Sequence, residues 1–168
     1  MQGNNFFSFT LSILLASFIL AGCTVSTTKD APVDNPEIVP DVTIGSVLDL
    51  SNQDLTALPE YVFSKTNIEE LDVSHNSITG AIQAEIRHLQ KLKVLNLSNN
   101  NMTGLPAEIG QLQDLEVLNV SNNQLTGLPY EIGNLQRLKV LNISGNEYSA
   151  YDLDIIVEKL PSSCNIIK

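Results

Sequence analysis

A leucine recurs at a nearly fixed step along most of this chain. Leu48, Leu71, Leu95, Leu118 and Leu141 are separated by 23, 24, 23 and 23 residues. Around each, the chain approximates L-x-L-S-x-N-x-L-T-x-L-P-x-E-I-x-x-L-x-x-L-x-V. A period of this size marks a solenoid, in which each unit buries its apolar face only against its neighbours. Most leucines and asparagines are therefore scaffold, and function is to be sought where a copy departs from the pattern.

The alternation Leu118-Asn119-Val120 predicts a short strand with alternate side chains inward. Successive strands at about 4.8 Å would build five rungs into a parallel sheet roughly 24 Å wide. The return half of the unit carries Leu58-Pro59, Leu105-Pro106 and Leu128-Pro129, then Ile109 and Leu112, and Ile132 and Leu135. Proline stops the strand register there and starts a loose turn or short helix. Hydrophobic residues make up 43% of the chain but aromatics only 5%, with no Trp, so the core must be aliphatic.

Leu92, Leu95, Leu97, Asn100 and Met102, then Leu115, Leu118, Val120, Asn123 and Leu125, match L-x-x-L-x-L-x-x-N-x-L. On these residues the chain resembles the leucine-rich repeat family over about residues 45–168. The resemblance implies an α/β solenoid of about five repeats, a parallel concave β-sheet, a short helical or irregular convex side and a C-terminal capping helix. It also implies a ladder of turn asparagines, Asn76, Asn100, Asn123 and Asn146, whose amides both donate and accept. Gln53 and Gly45 replace the expected residues in the first repeat, as befits a cap. The second repeat, Ile78 to Ile86, has one extra residue and no proline; it resembles the plant-type variant and is expected to perturb local curvature. At the other end Ser149-x-x-Asp152 is a candidate capping box. Leu153, Ile156, Val157 and Leu160 recur at helical spacing up to Pro161, and Cys164 to Ile167 reads as a final edge strand with Cys164 buried.

Residues 1–22 hold no charged side chain, and Phe6 to Ala21 is apolar over the length of a signal-peptide core rather than of a full membrane span. The segment ends Leu20-Ala21-Gly22-Cys23, which resembles the lipobox of bacterial lipoproteins. That resemblance implies cleavage after Gly22, diacylglycerol on the Cys23 thiol and an effectively permanent lipid anchor. Thr24 at the next position implies outer-membrane delivery if the envelope is Gram-negative. Met1 to Asn5 departs from the pattern in lacking Lys and Arg. An ordinary secretory signal and an uncleaved anchor, with Cys23 incidental, are the alternatives. Residues 23–43 then read as a tether: Pro32, Pro36 and Pro40 alternate with Asp30, Asp34, Glu37 and Asp41. Such a chain is extended and self-repelling, and would reach roughly 50 Å. The repeat domain is assigned to residues 44–168, with 149–168 as its cap.

Nine Lys and Arg against nineteen Asp and Glu give a net charge of −10, which disfavours nucleic acid and favours a basic partner. Two cysteines are too few for a disulfide framework or zinc site. There is no phosphate loop, no metal-spaced cluster and no nucleophile–base pair, so no cofactor and no catalysis are expected. The exposed columns of the sheet read Val47, Glu70, Val94, Val117 and Val140; Asp49, Asp72, Asn96, Asn119 and Asn142; Ser51, Ser74, Ser98, Ser121 and Ser144; and Asn52, His75, Asn99, Asn122 and Gly145. They contain no aromatic and no Arg. The departures cluster in the second repeat, so the candidate partner-binding residues are Asp49, Glu69, Glu70, Asp72 and His75, continued by Asn96, Asn119 and Asn142. Asp49 and Asp72 on neighbouring strands would also be close enough to share a cation or a proton. Of the tyrosines, Tyr130 is expected to be the exposed one. The expected function is a monomeric, lipid-anchored module of the bacterial envelope that binds a protein or peptide on its concave face. A structural spacer without a ligand is the alternative.

Overall fold

The computed structural model describes residues 45–168. The expected signal peptide, Cys23 and the expected tether lie outside the described residues. In chain order the elements are β1 (Val47–Asp49), β2 (Glu70–Asp72), β3 (Thr79–Gly80), β4 (Val94–Asn96), β5 (Asn101–Met102), β6 (Val117–Asn119), β7 (Val140–Asn142), α1 (Ala150–Val157) and β8 (Asn165–Ile167). Between them lie 3₁₀ turns at Glu60–Ser64, Ala84–His88, Ala107–Gln111 and Tyr130–Asn134. Among the described residues, one parallel sheet runs β1-β2-β4-β6-β7-β8. Its register keeps step with the repeat: Leu48, Leu71, Leu95, Leu118, Leu141 and Ile166 stand opposite one another. β8 is thus the expected edge strand.

Leu71, Leu95, Leu118 and Leu141 are wholly enclosed in one continuous aliphatic core, with Phe63 its buried aromatic at the N-terminal end. Each fully buried leucine contributes about 1.5–3 kcal/mol. Pro59, Pro106 and Pro129 each precede a 3₁₀ turn in extended conformation. In the second repeat Gln83 takes that position, and its side-chain amide donates to the Leu58 carbonyl of the repeat before it at 2.8 Å. The extra residue of this repeat leaves the main sheet in register, Glu70 opposite Val94. On the flank, β3 pairs with β5 in a separate two-stranded parallel sheet.

The turn asparagines form the ladder that the repeat implies. The Asn123 side chain accepts from the Met102 N–H at 3.0 Å and donates to the Leu97 and Val120 carbonyls at 3.0 Å each. Asn100 does the same for Ile78, Val73 and Leu97, and Asn146 for Leu125, Val120 and Ile143. Asn76 accepts from both Gln53 and Leu55 in the first repeat. Each amide therefore ties its own turn to the repeat before it.

The cap corrects three expectations. Ser149 accepts from the Asp152 N–H, but the reciprocal half of the capping box is absent. The Asp152 carboxylate turns instead to the preceding repeat, accepting from the Leu128 N–H at 3.3 Å and the Tyr130 hydroxyl at 3.2 Å. Leu153, Ile156 and Leu160 are buried, whereas Val157 is 42% exposed, because it lies one step off the stripe that meets the last repeat. Cys164 is half-buried rather than enclosed, and that partial burial raises its thiol pKa.

Three substitutions test this packing by urea denaturation. Asn123→Ala leaves several buried backbone groups unpaired and is expected to cost about 3 kcal/mol or more, at about 1–3 kcal/mol per orphaned group. Gly110→Ala would place a Cβ 2.3 Å from the Glu131 carbonyl oxygen, while Gly104→Ala meets nothing within 4 Å. Gly110→Ala should lower stability clearly and Gly104→Ala should not.

Candidate functional site

The sheet face turned away from the core is built from the residues that flank the leucine row. Its columns follow the register, so Val47, Glu70, Val94, Val117 and Val140 align, as do Asp49, Asp72, Asn96, Asn119 and Asn142. The expectation that these columns are exposed holds only in part. Val94, Val117 and Val140 are each at most 9% exposed and pack on one another as a small second cluster, joined by Ile167. At the close spacing of a parallel ladder, adjacent branched side chains shield one another. Ser74, Ser98 and Ser121 are buried, and so is Asn142.

The Asp and Asn column has a local structural job. The Oδ1 of Asp49, Asp72, Asn96, Asn119 and Asn142 accepts the N–H of the serine two residues on, at 2.8 to 3.2 Å. This Asx turn ends each strand, and the Ser98, Ser121 and Ser144 hydroxyls donate to the same oxygen at 2.8 Å. A recurrent Asp/Asn-x-Ser at the repeat period is its sequence signature. It also accounts for the buried serines and the Asn-x-Ser triplets. Asn96 further donates to Asp72 Oδ2 at 3.1 Å, so both oxygens of Asp72 are engaged.

The fourth column is fixed by backbone conformation. Asn52, His75, Asn99 and Asn122 have φ between 53° and 55°, and Gly145 has φ 66°. This left-handed region is open to Gly and tolerated best by Asn, Asp and His. His75 thus occupies a position whose residue type the turn restricts. Its Nε2 lies 3.4 Å from Asn99 Nδ2, and Asn122 donates in turn to Asn99 Oδ1 at 3.1 Å.

Glu69 and Glu70 are adjacent in sequence but differ in role. Glu69 is paired with Lys93 at 2.9 Å and accepts the Gly45 N–H at 2.8 Å, and the Lys93 bond foremost holds its carboxyl pKa below the ordinary value. Further pairs, Glu116 with Lys139 at 2.7 Å and Asp114 with Arg137 at 2.8 Å, link later repeats in the same way. Opposite charges one repeat apart were the overlooked sequence signal for these bridges. Glu70 stands in the valine column between Val47 and Val94, and among the described residues no hydrogen bond or ion pair reaches its carboxylate. Desolvation there, then the charges of Asp72 and Asp49, raise its pKa. Asp49, by contrast, is held low by its bonds from Ser51.

Among the described residues, no group of three or more His, Cys, Asp or Glu side chains is placed to hold a metal ion. Asp49 and Asp72 stand opposite each other, each with an oxygen spent on its own turn. The aromatic side chains lie elsewhere: Tyr151 at 69% and Tyr61 at 50% are more exposed than Tyr130 at 43%, contrary to the sequence expectation.

Known proteins share this architecture. A family profile described as a leucine-rich repeat region matches residues 70–160. Receptor-like protein 18 of Arabidopsis thaliana is 42% identical over 92 residues, which is 51% of this chain but 11% of that protein. A leucine-rich repeat protein of Leptospira interrogans is similar at 42% identity and a TM-score of 0.63, over 67% of this chain and 28% of that one. A plant peptide hormone receptor, RGFR1, in complex with RGF2, is similar at 35% identity and a TM-score of 0.58, over 72% and 21%. The chain thus spans about a tenth of its curated relative's length and under a third of either solved chain. Leucine-rich repeat domains generally serve as non-enzymatic modules that bind proteins or peptides. With its asparagine ladder, its in-step parallel sheet and a profile match over more than half its length, this chain belongs to the leucine-rich repeat family.

Proposed function

We propose that this protein is a non-catalytic interaction module of the bacterial cell envelope, anchored by lipid on Cys23, that binds a basic protein or peptide on the open face of its sheet around Glu70. It acts as an exported monomer, held off the membrane by residues 24–43. The observation that carries the binding reading is Glu70 itself. Its column is otherwise valine in β1, β4, β6 and β7, and an unpaired carboxylate there is disfavoured by desolvation and by two neighbouring acids. A residue that opposes its local packing is a mark of function rather than of scaffold. Asp49 and Asp72 add negative charge beside it, whereas Asn96, Asn119 and Asn142 act chiefly as turn formers. The similarity to a receptor solved with its bound partner supports a peptide or protein as ligand. The Leu20-Ala21-Gly22-Cys23 box and the similarity to a Leptospira protein support the bacterial, lipid-anchored setting. The spacer alternative draws on the self-satisfied amide columns of the later repeats, which offer a partner little that is unpaired.

Replacing Glu70 with Val completes the apolar column, and cross-strand β-branched pairs contribute roughly 0.2–1 kcal/mol each, so the variant should be more stable. The gain depends on pH. A raised folded-state pKa means that Glu70 contributes favourably below the ordinary value of 4.5, and that this is lost as pH rises through the folded value. Urea melts should therefore show a larger advantage for Glu70→Val at pH 7 than at pH 4. Equal advantages would remove the electrostatic argument.

The binding reading is tested by crosslinking in native membranes followed by mass spectrometry. The double variant Glu70→Lys, Asp72→Asn keeps the Asx turn of β2 but reverses or removes charge. A partner captured by the natural chain should be lost with this variant; unchanged capture overturns the acidic-face assignment. Separately, Cys23→Ser should abolish incorporation of labelled fatty acid and release the protein from the membrane fraction.

A further inference from the structure

The return segments differ at one equivalent position. The fourth residue of the successive 3₁₀ turns is Phe63, Arg87, Gly110 and Gly133. In the later repeats these glycines let neighbouring segments touch. A Cβ added at Gly110 would lie 2.3 Å from the Glu131 carbonyl oxygen of the next turn. One added at Gly133 would meet the Lys159 Cβ, just past α1, at 2.9 Å. Non-bonded heavy atoms settle at about 3.5–4.0 Å, so neither position has room for a side chain. The first two turns carry one there. Each must therefore stand farther from the turn that follows it. Phe63 is buried in its gap. Arg87 is half-buried, and its guanidinium folds back to the Ala84 carbonyl of its own turn at 3.1 Å. The bulk of Arg87 rather than its charge thus fills the second gap.

The sheet side shows no such widening. The N–H groups of Glu70, Val94, Val117 and Val140 reach the preceding strand segment at 3.1, 3.0, 2.9 and 3.0 Å. Hydrogen-bonded strands keep one spacing. Where one side of the stack is fixed and the other is spread, neighbouring repeats diverge as wedges. The two spread gaps lie on either side of the second repeat. The sheet therefore bends most about β2, which carries Glu70 and Asp72, with β1 and β4 as walls.

We infer that Arg87, on the return side of its repeat, is a positioning residue for the open face. It holds the second and third turns apart and so cups the sheet around Glu70. The resulting trough fits a narrow, extended basic segment lying along β2 rather than a broad flat surface. This rests on the binding reading of that face. An extended segment turns alternate side chains to one side, about 7 Å apart. Glu70 and Asp72 are alternate residues of β2 and present their carboxylates at the matching step. Phe63 acts likewise in the first gap but belongs to the core, so Arg87 is the spacer that can be changed without opening the core.

Arg87→Gly gives the second turn the residue that the third and fourth turns already carry, and Arg87→Met keeps the bulk without the charge. Spin labels would be placed at Ser64 and Asn134, the exposed fifth residues of the first and fourth turns. The protein is the full-length chain with Cys23 and Cys164 replaced by Ser. The label-to-label distance should shorten in Arg87→Gly and hold in Arg87→Met. A dye-labelled synthetic peptide with lysines at alternate positions would be followed by fluorescence anisotropy. It should bind the natural chain and Arg87→Met alike, and Arg87→Gly about fivefold more weakly. An unchanged distance in Arg87→Gly, an equal shortening in Arg87→Met, or a shortened distance with undiminished binding would each overturn the inference. Failure of the natural chain to bind the peptide sinks the reading of the open face, and the ligand assigned here with it, while the distances still decide whether Arg87 is the spacer.

Discussion

A solenoid turn bends the backbone sharply and buries peptide groups that no strand or helix can pair. This chain meets that constraint with one side-chain amide per turn. Asn100 and Asn123 are buried, and each satisfies a backbone N–H and carbonyls drawn from its own repeat and the one before. Neither an aliphatic residue nor a carboxylate could replace it, because the site demands a donor and an acceptor at once. The in-step register of the main sheet and the unbroken leucine core both depend on that connection. Among the described residues no buried side-chain polar atom is left without a partner.

The same economy of local chemistry reaches the open face. Residues that resemble a ligand-binding array when read as columns turn out to be busy with their own backbone. The Asp and Asn column closes Asx turns, the serines complete them, and the fourth column is restricted by a left-handed backbone. Glu69 belongs to a set of bridges between adjacent repeats, with Lys93 as its partner. Against this background Glu70 stands apart, because its carboxylate sits in a valine column and closes no turn or bridge among the described residues. Regular repeats thus make a departure from the pattern conspicuous through the cost it imposes.

The C-terminal cap shows a related trade. Asp152 has the position of a capping-box acid but reaches across to Leu128 and Tyr130, tying α1 to the last full repeat. The helix keeps its Ser149 cap and presents Tyr151 and Val157 outward.

Much of the fold was legible in the sequence, because a leucine every 23 or 24 residues, a proline at the return and an asparagine at each turn are local requirements of one repeating unit. Strand positions, register, the asparagine ladder and the capping helix could all be read from single repeats laid side by side. The composition of the candidate face was legible too, but not which of its residues are free. That depends on contacts between repeats. Val94, Val117 and Val140 are hidden only because each shields the next. Glu69 is paired with a lysine 24 positions away, and Asp152 turns from its own helix to the Leu128 N–H and the Tyr130 hydroxyl. The sequence by itself determined the repeat and what each copy requires internally. The tertiary structure decided which side chains were left over, since pairing across repeats is a property of their stacking and not of any one copy.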